Sequence, residues 1–379
     1  MSGVRDSVFN GGQMRLARHY LGLTLQDIAD IVGKTRQFIS QLETGKAKPG
    51  VNDPIVDLLA EALKVRPSFL FSFSVPQIAE EQAHFRKLAT TKASTRQTVL
   101  ARGSIFDQVV EYIDRHVKLP AVDFPDYSGF ETAEEIERAS ERLRAHWGLG
   151  LGPISHMVRV VERAGAVVAF FREASTEVDA LSITSRRPVI VRNDAKRSPF
   201  RQRFDIAHEL GHLVLHEGHV TGDRKTETEA NRFASAFLLP RSTFLKAFPR
   251  RGGRLDWSGI RDLKLTFMVS KAAILYRAKS LGLIDDAQYL SAVITLKNRG
   301  EAIEEAEDAL AVKEDGEVVV QALQIMKSVH GIGFTRLAND LGVLPDFLSK
   351  IIPAPIEESM DVESEGRVMR PFLRVVDVK

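Results

Sequence analysis

Within the stretch RQRFDIAHELGHLVLHE two histidines, His208 and His212, stand four residues apart, and Glu209 follows the first of them. On a helix, residues i and i+4 share one face about 6 Å apart, so two imidazoles at this spacing can hold one metal ion. Glu209 points beside that face. There it can act as a base without being a ligand, because zinc lowers the pKa of water towards about 7, within reach of a carboxylate. The sequence contains no cysteine, so any metal must be held by imidazole and carboxylate.

The helix that positions this pair has a buried face supplied by Ile206, Leu210, Leu213 and Val214. A third ligand is available on a second helix, ETEANRFASAFLLP, where Glu229, Phe233 and Phe237 recur every four residues. A carboxylate on the same stripe as two core aromatics needs a partner, since burying it unpaired costs several kcal/mol. The spacing therefore predicts Glu229 as the third ligand, with Glu227 as second choice and otherwise a helix N-terminal acid favoured by the dipole. His216 and His219 are further candidates, although the longer metzincin pattern wants its histidine where this chain has Gly218. Arg277 suits either an oxyanion donor or a salt bridge.

Phe204 to Glu217, together with Glu229 to Pro240, resembles the ImmA/IrrE family of zinc-dependent peptidases over about residues 140–295. The resemblance implies a gluzincin-like site with two histidines and one glutamate on zinc (manganese being an alternative) and hydrolysis of a regulatory protein. Known members cut helix-turn-helix repressors to release stress or mobile-element genes. It also implies a zincin edge strand before the metal helix, here Val189 to Arg192, to which an extended substrate could add through main-chain hydrogen bonds.

The N-terminal part carries a different chemistry. LTLQDIADIVGKTRQFISQLETGKAKPG has the layout of two short helices joined at Gly33, with Thr24 and Thr35 as N-caps. Leu25, Ile28 and Ala29 pack against Phe38, Ile39 and Leu42, which leaves Arg36, Gln37, Ser40 and Gln41 exposed near the start of the second helix, after Thr35. Arg and Gln side chains pair bidentately with guanine and adenine edges, and Lys34, Lys46 and Lys48 can grip phosphates. Residues 13–65, above all ISQLETGKAKP, resemble the Xre/Cro helix-turn-helix family, except that Leu25 stands where that family usually has a glutamine. Residues 1–70 carry nine Lys and Arg against seven Asp and Glu. Affinity per subunit is therefore modest and salt-sensitive, and a homodimer reading two half-sites of a double-stranded operator compensates.

The rest of the chain sets the frame. At 379 residues, 27% charged and with a net charge of +2, the protein has roughly two to four domains and no global field to draw it to nucleic acid or membrane. The N-terminus lacks a signal-peptide core and no apolar run reaches the roughly 18 residues of a span, which predicts cytoplasmic residence. The expected fold is multidomain and mostly α. A helix-turn-helix domain occupies 1–72, and a basic connector (85–103) leads into a helix (104–118) within 73–131. A central α+β zincin-like domain with a small sheet follows over 132–295, then a helical C-terminal region with an acidic tail over 296–379. Strands are expected at 165–171, 179–183 and 188–192, and another near Glu317. Residues 333–351 mimic a second helix-turn-helix, a pattern that packed helix pairs also give. The substrate expected is a repressor, an antitoxin or the chain itself. The rival reading keeps the zincin-like domain for sensing or oligomerisation in a non-proteolytic transcription factor.

Overall fold

Four helices open the chain in the computed structural model, which describes residues 8–352 apart from 73–76, 80–81, 86–91, 172–179, 184–185, 193–197, 220 and 252–253, together with 374–375. They are α1 (Gly11–Leu21), α2 (Leu25–Val32), α3 (Arg36–Glu43) and α4 (Pro54–Ala62). The side chains of Thr24 and Thr35 accept the backbone N–H of Asp27 and Phe38, so both are N-caps, and Gly33 ends α2 in the left-handed region at φ 63°. A three-residue strand, β1 (Ala83–Phe85), precedes the long helix α5 (Ala93–His116) and β2 (Val117–Lys118).

The central region runs α6 (Ala133–His146), α7 (Met157–Arg163), β3 (Val167–Phe170), β4 (Ala180–Ile183), β5 (Val189–Arg192), α8 (Pro199–Leu215) and α9 (Arg224–Leu238). It continues through α10 (Arg241–Ala247), β6 (Arg250–Arg251), β7 (Arg254–Leu255), α11 (Trp257–Phe267), α12 (Lys271–Ser280) and α13 (Asp286–Asn298). The chain closes with α14 (Val318–His330), α15 (Phe334–Asp340), α16 (Pro345–Leu348) and β8 (Arg374–Val375), the last paired with β2.

The main sheet has the order β1-β4-β5-β3, with β3 and β5 parallel and the other pairs antiparallel. It is covered on both faces, which explains why β3 and β5 read as continuous apolar runs. Val167, Ala169, Val189 and Val191 face a core shared with α5, the N-terminal helices and α14–α16. Val168 and Ile190 face the core built by α6 to α13. The strand expected at Val189–Arg192 is therefore interior, flanked by β3 and β4, and is not the edge.

Other expectations shift for physical reasons. Of the expected connector, residues 86–91 lie outside the described residues, and the helix begins earlier than position 104: α5 starts at Ala93, because burial of Val99, Ala101 and Ile105 outweighs the Ser and Thr content there. The β-branched run after Glu317 is helical, since Val318, Val319, Ala322, Leu323 and Met326 bury at helical spacing. Residues 333–351 pack as a helix pair against the N-terminal helices. Phe347 stacks on Tyr20 with ring centroids 3.8 Å apart, its carbonyl accepts the Tyr20 hydroxyl, and Val343 bridges Val65. The acidic tail lies outside the described residues.

Candidate metal centre

Helix α8 starts at Ser198, whose side chain caps the Arg201 N–H, with Pro199 at its first turn. Its fit against α9 depends on Gly211. A Cβ there would stand 3.2 Å from the Cα of Ala230 and 3.2 Å from the Phe233 ring, so glycine lets the two helices approach closely. This approach brings the histidine face of α8 onto the first turns of α9.

There the Nε2 atoms of His208 and His212 lie 3.1 Å apart, and both side chains are buried. The carboxylate that joins them belongs to Glu227, at 3.4 Å from His208 Nε2 and 3.3 Å from His212 Nε2. Glu229 does not reach the pair. Its Oε2 lies 2.9 Å from His216 Nε2, whose Nδ1 is in turn 2.9 Å from His212 Nδ1. The expected positions of the two acids are thus exchanged. Glu227 lies on the stripe with Ala230 and Ala234, one turn from Asn231, and that stripe meets α8. Glu229 lies at its margin. His219 is exposed and contacts the Glu217 carbonyl, away from the pair.

The hydrogen bonds decide which nitrogens can bind a cation. His208 Nδ1 is 3.1 Å from Asn231 Oδ1, an acceptor, so it donates there. His216 donates from Nε2 to the Glu229 carboxylate, which makes its Nδ1 an acceptor for His212 Nδ1–H. Both Nε2 atoms then carry lone pairs and face each other across 3.1 Å, an arrangement that calls for a cation between them. In a tetrahedral zinc site with bonds near 2.0–2.1 Å, ligand nitrogens are separated by roughly 3.3 Å. His208, His212 and Glu227 have ligand atoms within 4.8 Å of one another and fit such an ion. Burial raises the Glu227 pKa, but hydrogen bonds and charge from His208 and His212 outweigh it and hold the carboxyl at about 2 when the imidazoles donate from Nε2. With lone pairs at both Nε2 atoms, a cation bound between them takes the place of those donors.

Glu209 is fully buried beside this group, and the Ser182 hydroxyl of β4 donates to its Oε2 at 2.8 Å. A cleft of about 290 Å³ adjoins Asn231 and is bounded by Phe204 and Asp205 of α8 and by Ser270 and Tyr276. It has the size and mixed polarity to take one side chain. Arg277 is not at the site. Its Nε donates to the Leu239 carbonyl at 2.9 Å and its two terminal nitrogens grip Glu137, the salt bridge of the two expected alternatives.

Ser182, Asn231 and the role of His216 escaped the sequence reading. His216 stands one turn beyond His212 on the same face, a signal that the spacing offered; Ser182 gave none.

Residues 161–279 match the peptidase family described as the IrrE N-terminal-like domain, and residues 15–70 match the Helix-turn-helix family. The chain joins a helix-turn-helix domain to an IrrE-like domain. No curated protein matches it. The expected fusion and the mostly helical fold with a small sheet are therefore both present.

In the helix-turn-helix domain, Lys34, Thr35, Arg36, Gln37, Lys46 and Lys48 are exposed, and Ser40 and Gln41 are half-buried. Thr35 also serves as the cap of α3. Glu43 turns inward, where Arg18 holds both its oxygens at 2.6 and 3.0 Å and fastens α3 to α1. Arg36 and Ser40 line a groove that Ser94 and Gln97 of α5 close on the far side. Among the described residues no helix is long and apolar enough to cross a membrane.

Proposed function

We propose that this chain is a cytoplasmic, DNA-bound transcription regulator that hydrolyses a peptide bond in a regulatory protein. That protein is a repressor, an antitoxin or the chain itself, and cleavage belongs to a stress or mobile-element response. The observation that carries the reading is the convergence of two buried imidazole lone pairs and the Glu227 anion next to a buried, oriented Glu209.

A zinc or manganese ion held by His208, His212 and Glu227 would supply Lewis acidity to a peptide carbonyl and acidify water. Glu209 takes the proton of the attacking water as the oxygen bonds to the carbonyl carbon. It then passes that proton to the departing amine as the C–N bond breaks. Ser182 fixes the carboxylate in the required orientation through its hydrogen bond. Glu229 and His216 act through His212 by holding its Nδ1–H, and Asn231 does the same for His208.

Metal titration tests the ligand set. The full chain binds one equivalent of zinc. Glu229→Gln, as an outer partner, weakens binding about 10–100-fold, whereas Glu227→Gln weakens it by more than that range. The reverse order in competition with a chelator would restore Glu229 as the ligand.

On the DNA side, Arg36, Gln37, Ser40 and Gln41 read base edges in the major groove, with Thr35 at the helix start and Lys46 and Lys48 on phosphates. Two copies read paired half-sites. Once an operator is selected from random duplexes, Arg36→Ala should relax preference at one base pair by about 1–3 kcal/mol. Lys46→Ala should weaken all duplexes alike and reduce the salt slope by about one. Equal losses on specific and random DNA for Arg36→Ala would remove it from base reading.

A further inference from the structure

Strand β1 comes from the segment between the helix-turn-helix domain and α5, yet it completes the sheet beside the metal centre. It pairs antiparallel with β4 in the register Ala83–Ile183, His84–Ser182 and Phe85–Leu181. β4 is the strand that carries Ser182 onto Glu209, and its other edge is taken by β5. A polypeptide held for attack by water at Glu209 needs its backbone fixed along the strand nearest that carboxylate. The main-chain groups of β4 that point away from β5 are the ones suited to this, and residues 83–85 already use them.

We propose that β1 is a resident occupant of the peptide-binding edge: an extended substrate strand seats antiparallel on the outer edge of β4, and only after residues 83–85 have left it. The inference rests on the peptidase reading above. The tether makes the occupation effective. A segment joined by a short link competes at an effective concentration on the order of millimolar, so a free peptide of equal intrinsic affinity, present at micromolar levels, is excluded by about a thousandfold. With only three paired residues the strand is nevertheless short enough to be displaced. The segment that must move lies between two parts that are fastened together, since Arg102 of α5 donates to the Tyr20 carbonyl of α1. Release of β1 is therefore a local event that leaves the helix-turn-helix domain seated on α5.

The absence of cysteine from the sequence provides a clean test. Directly opposed residues on antiparallel strands have the separation that a disulfide spans, so Phe85→Cys with Leu181→Cys locks β1 in place when oxidised. Ala83→Cys with Ile183→Cys is the alternative pair. The probe is a dye-labelled tripeptide hydroxamate, followed by fluorescence anisotropy with the zinc-loaded full chain. The oxidised form is expected to bind at least tenfold more weakly than the same protein reduced. His84→Pro and the double variant Ala83→Pro/Phe85→Pro, which cover both phases of the ladder, are expected to bind at least tenfold more tightly than the unaltered chain.

Failure of both cysteine pairs to oxidise would overturn the proposal, as would equal binding by locked and reduced forms or proline variants indistinguishable from the parent. If zinc is bound but the hydroxamate binds none of the open variants, the edge assignment falls and the metal site stands. If zinc itself is not taken up, the peptidase reading falls and this inference with it.

Discussion

Glu209→Gln should lower the rate of peptide hydrolysis by about 10²–10⁴ while metal content, fold and DNA affinity stay as they are. A thousandfold loss corresponds to roughly 4 kcal/mol of barrier. Glutamine has nearly the same shape, and its Oε1 still accepts the Ser182 hydroxyl that lies 2.8 Å from Glu209 Oε2. What it lacks is the capacity to take a proton from water and return it to the amine. The measurement is cleavage of purified repressor and antitoxin candidates by zinc-loaded protein, with zinc content and circular dichroism recorded on the same samples. Transcript levels in cells carrying the variant separate the two functional classes. A regulator that uses this domain only for sensing or oligomerisation will not register the change, whereas a peptidase will fail to release its target genes. Cleavage that persists in the variant would remove Glu209 from the chemistry.

The parts of this site legible in the sequence were those determined by one helix at a time. The i, i+4 spacing of His208 and His212 and the caps at Thr24 and Thr35 are local matters, and the structure reproduces them. The choice between Glu227 and Glu229 depends on how two helices cross. The i+4 recurrence of Glu229, Phe233 and Phe237 identifies a buried face of α9 but not the sector of it that meets the imidazoles. The close approach at Gly211 sets that sector, and it carries Glu227 and Asn231 inward while leaving Glu229 to His216. Strand order was illegible for a related reason. The apolar run of β5 shows that both its faces are covered, but an edge is defined by who pairs with whom, and β1 is a three-residue strand, Ala-His-Phe, far upstream of β4 and too short for its alternation to signal a strand. The run after Glu317 misled because β-branched residues favour strands only where packing does not decide otherwise. Here Val318, Val319 and Met326 bury on one helical face.

Arg277→Met distinguishes a structural from a chemical role for a residue that the sequence alone could not assign. The guanidinium is fully buried and joins three elements: α12, which carries it, α6 through Glu137, and the end of α9 through the Leu239 carbonyl. Removing it leaves the Glu137 carboxylate without its partner in a mostly buried position. Breaking one side of a buried pair costs about 3–5 kcal/mol, most of it from the charge left behind. The expected result is a urea midpoint lowered to match, with the slope unchanged. Adding Glu137→Leu should recover most of that loss, since the stranded charge is then gone and two apolar side chains can pack in its place. Peptide hydrolysis per folded molecule should be unaltered in both variants. An oxyanion donor would give the opposite pair of results, a loss of about 10²–10³ in kcat at nearly constant stability. The two roles therefore separate on two axes measured with the same protein, and the bidentate grip on Glu137 places Arg277 on the stability axis.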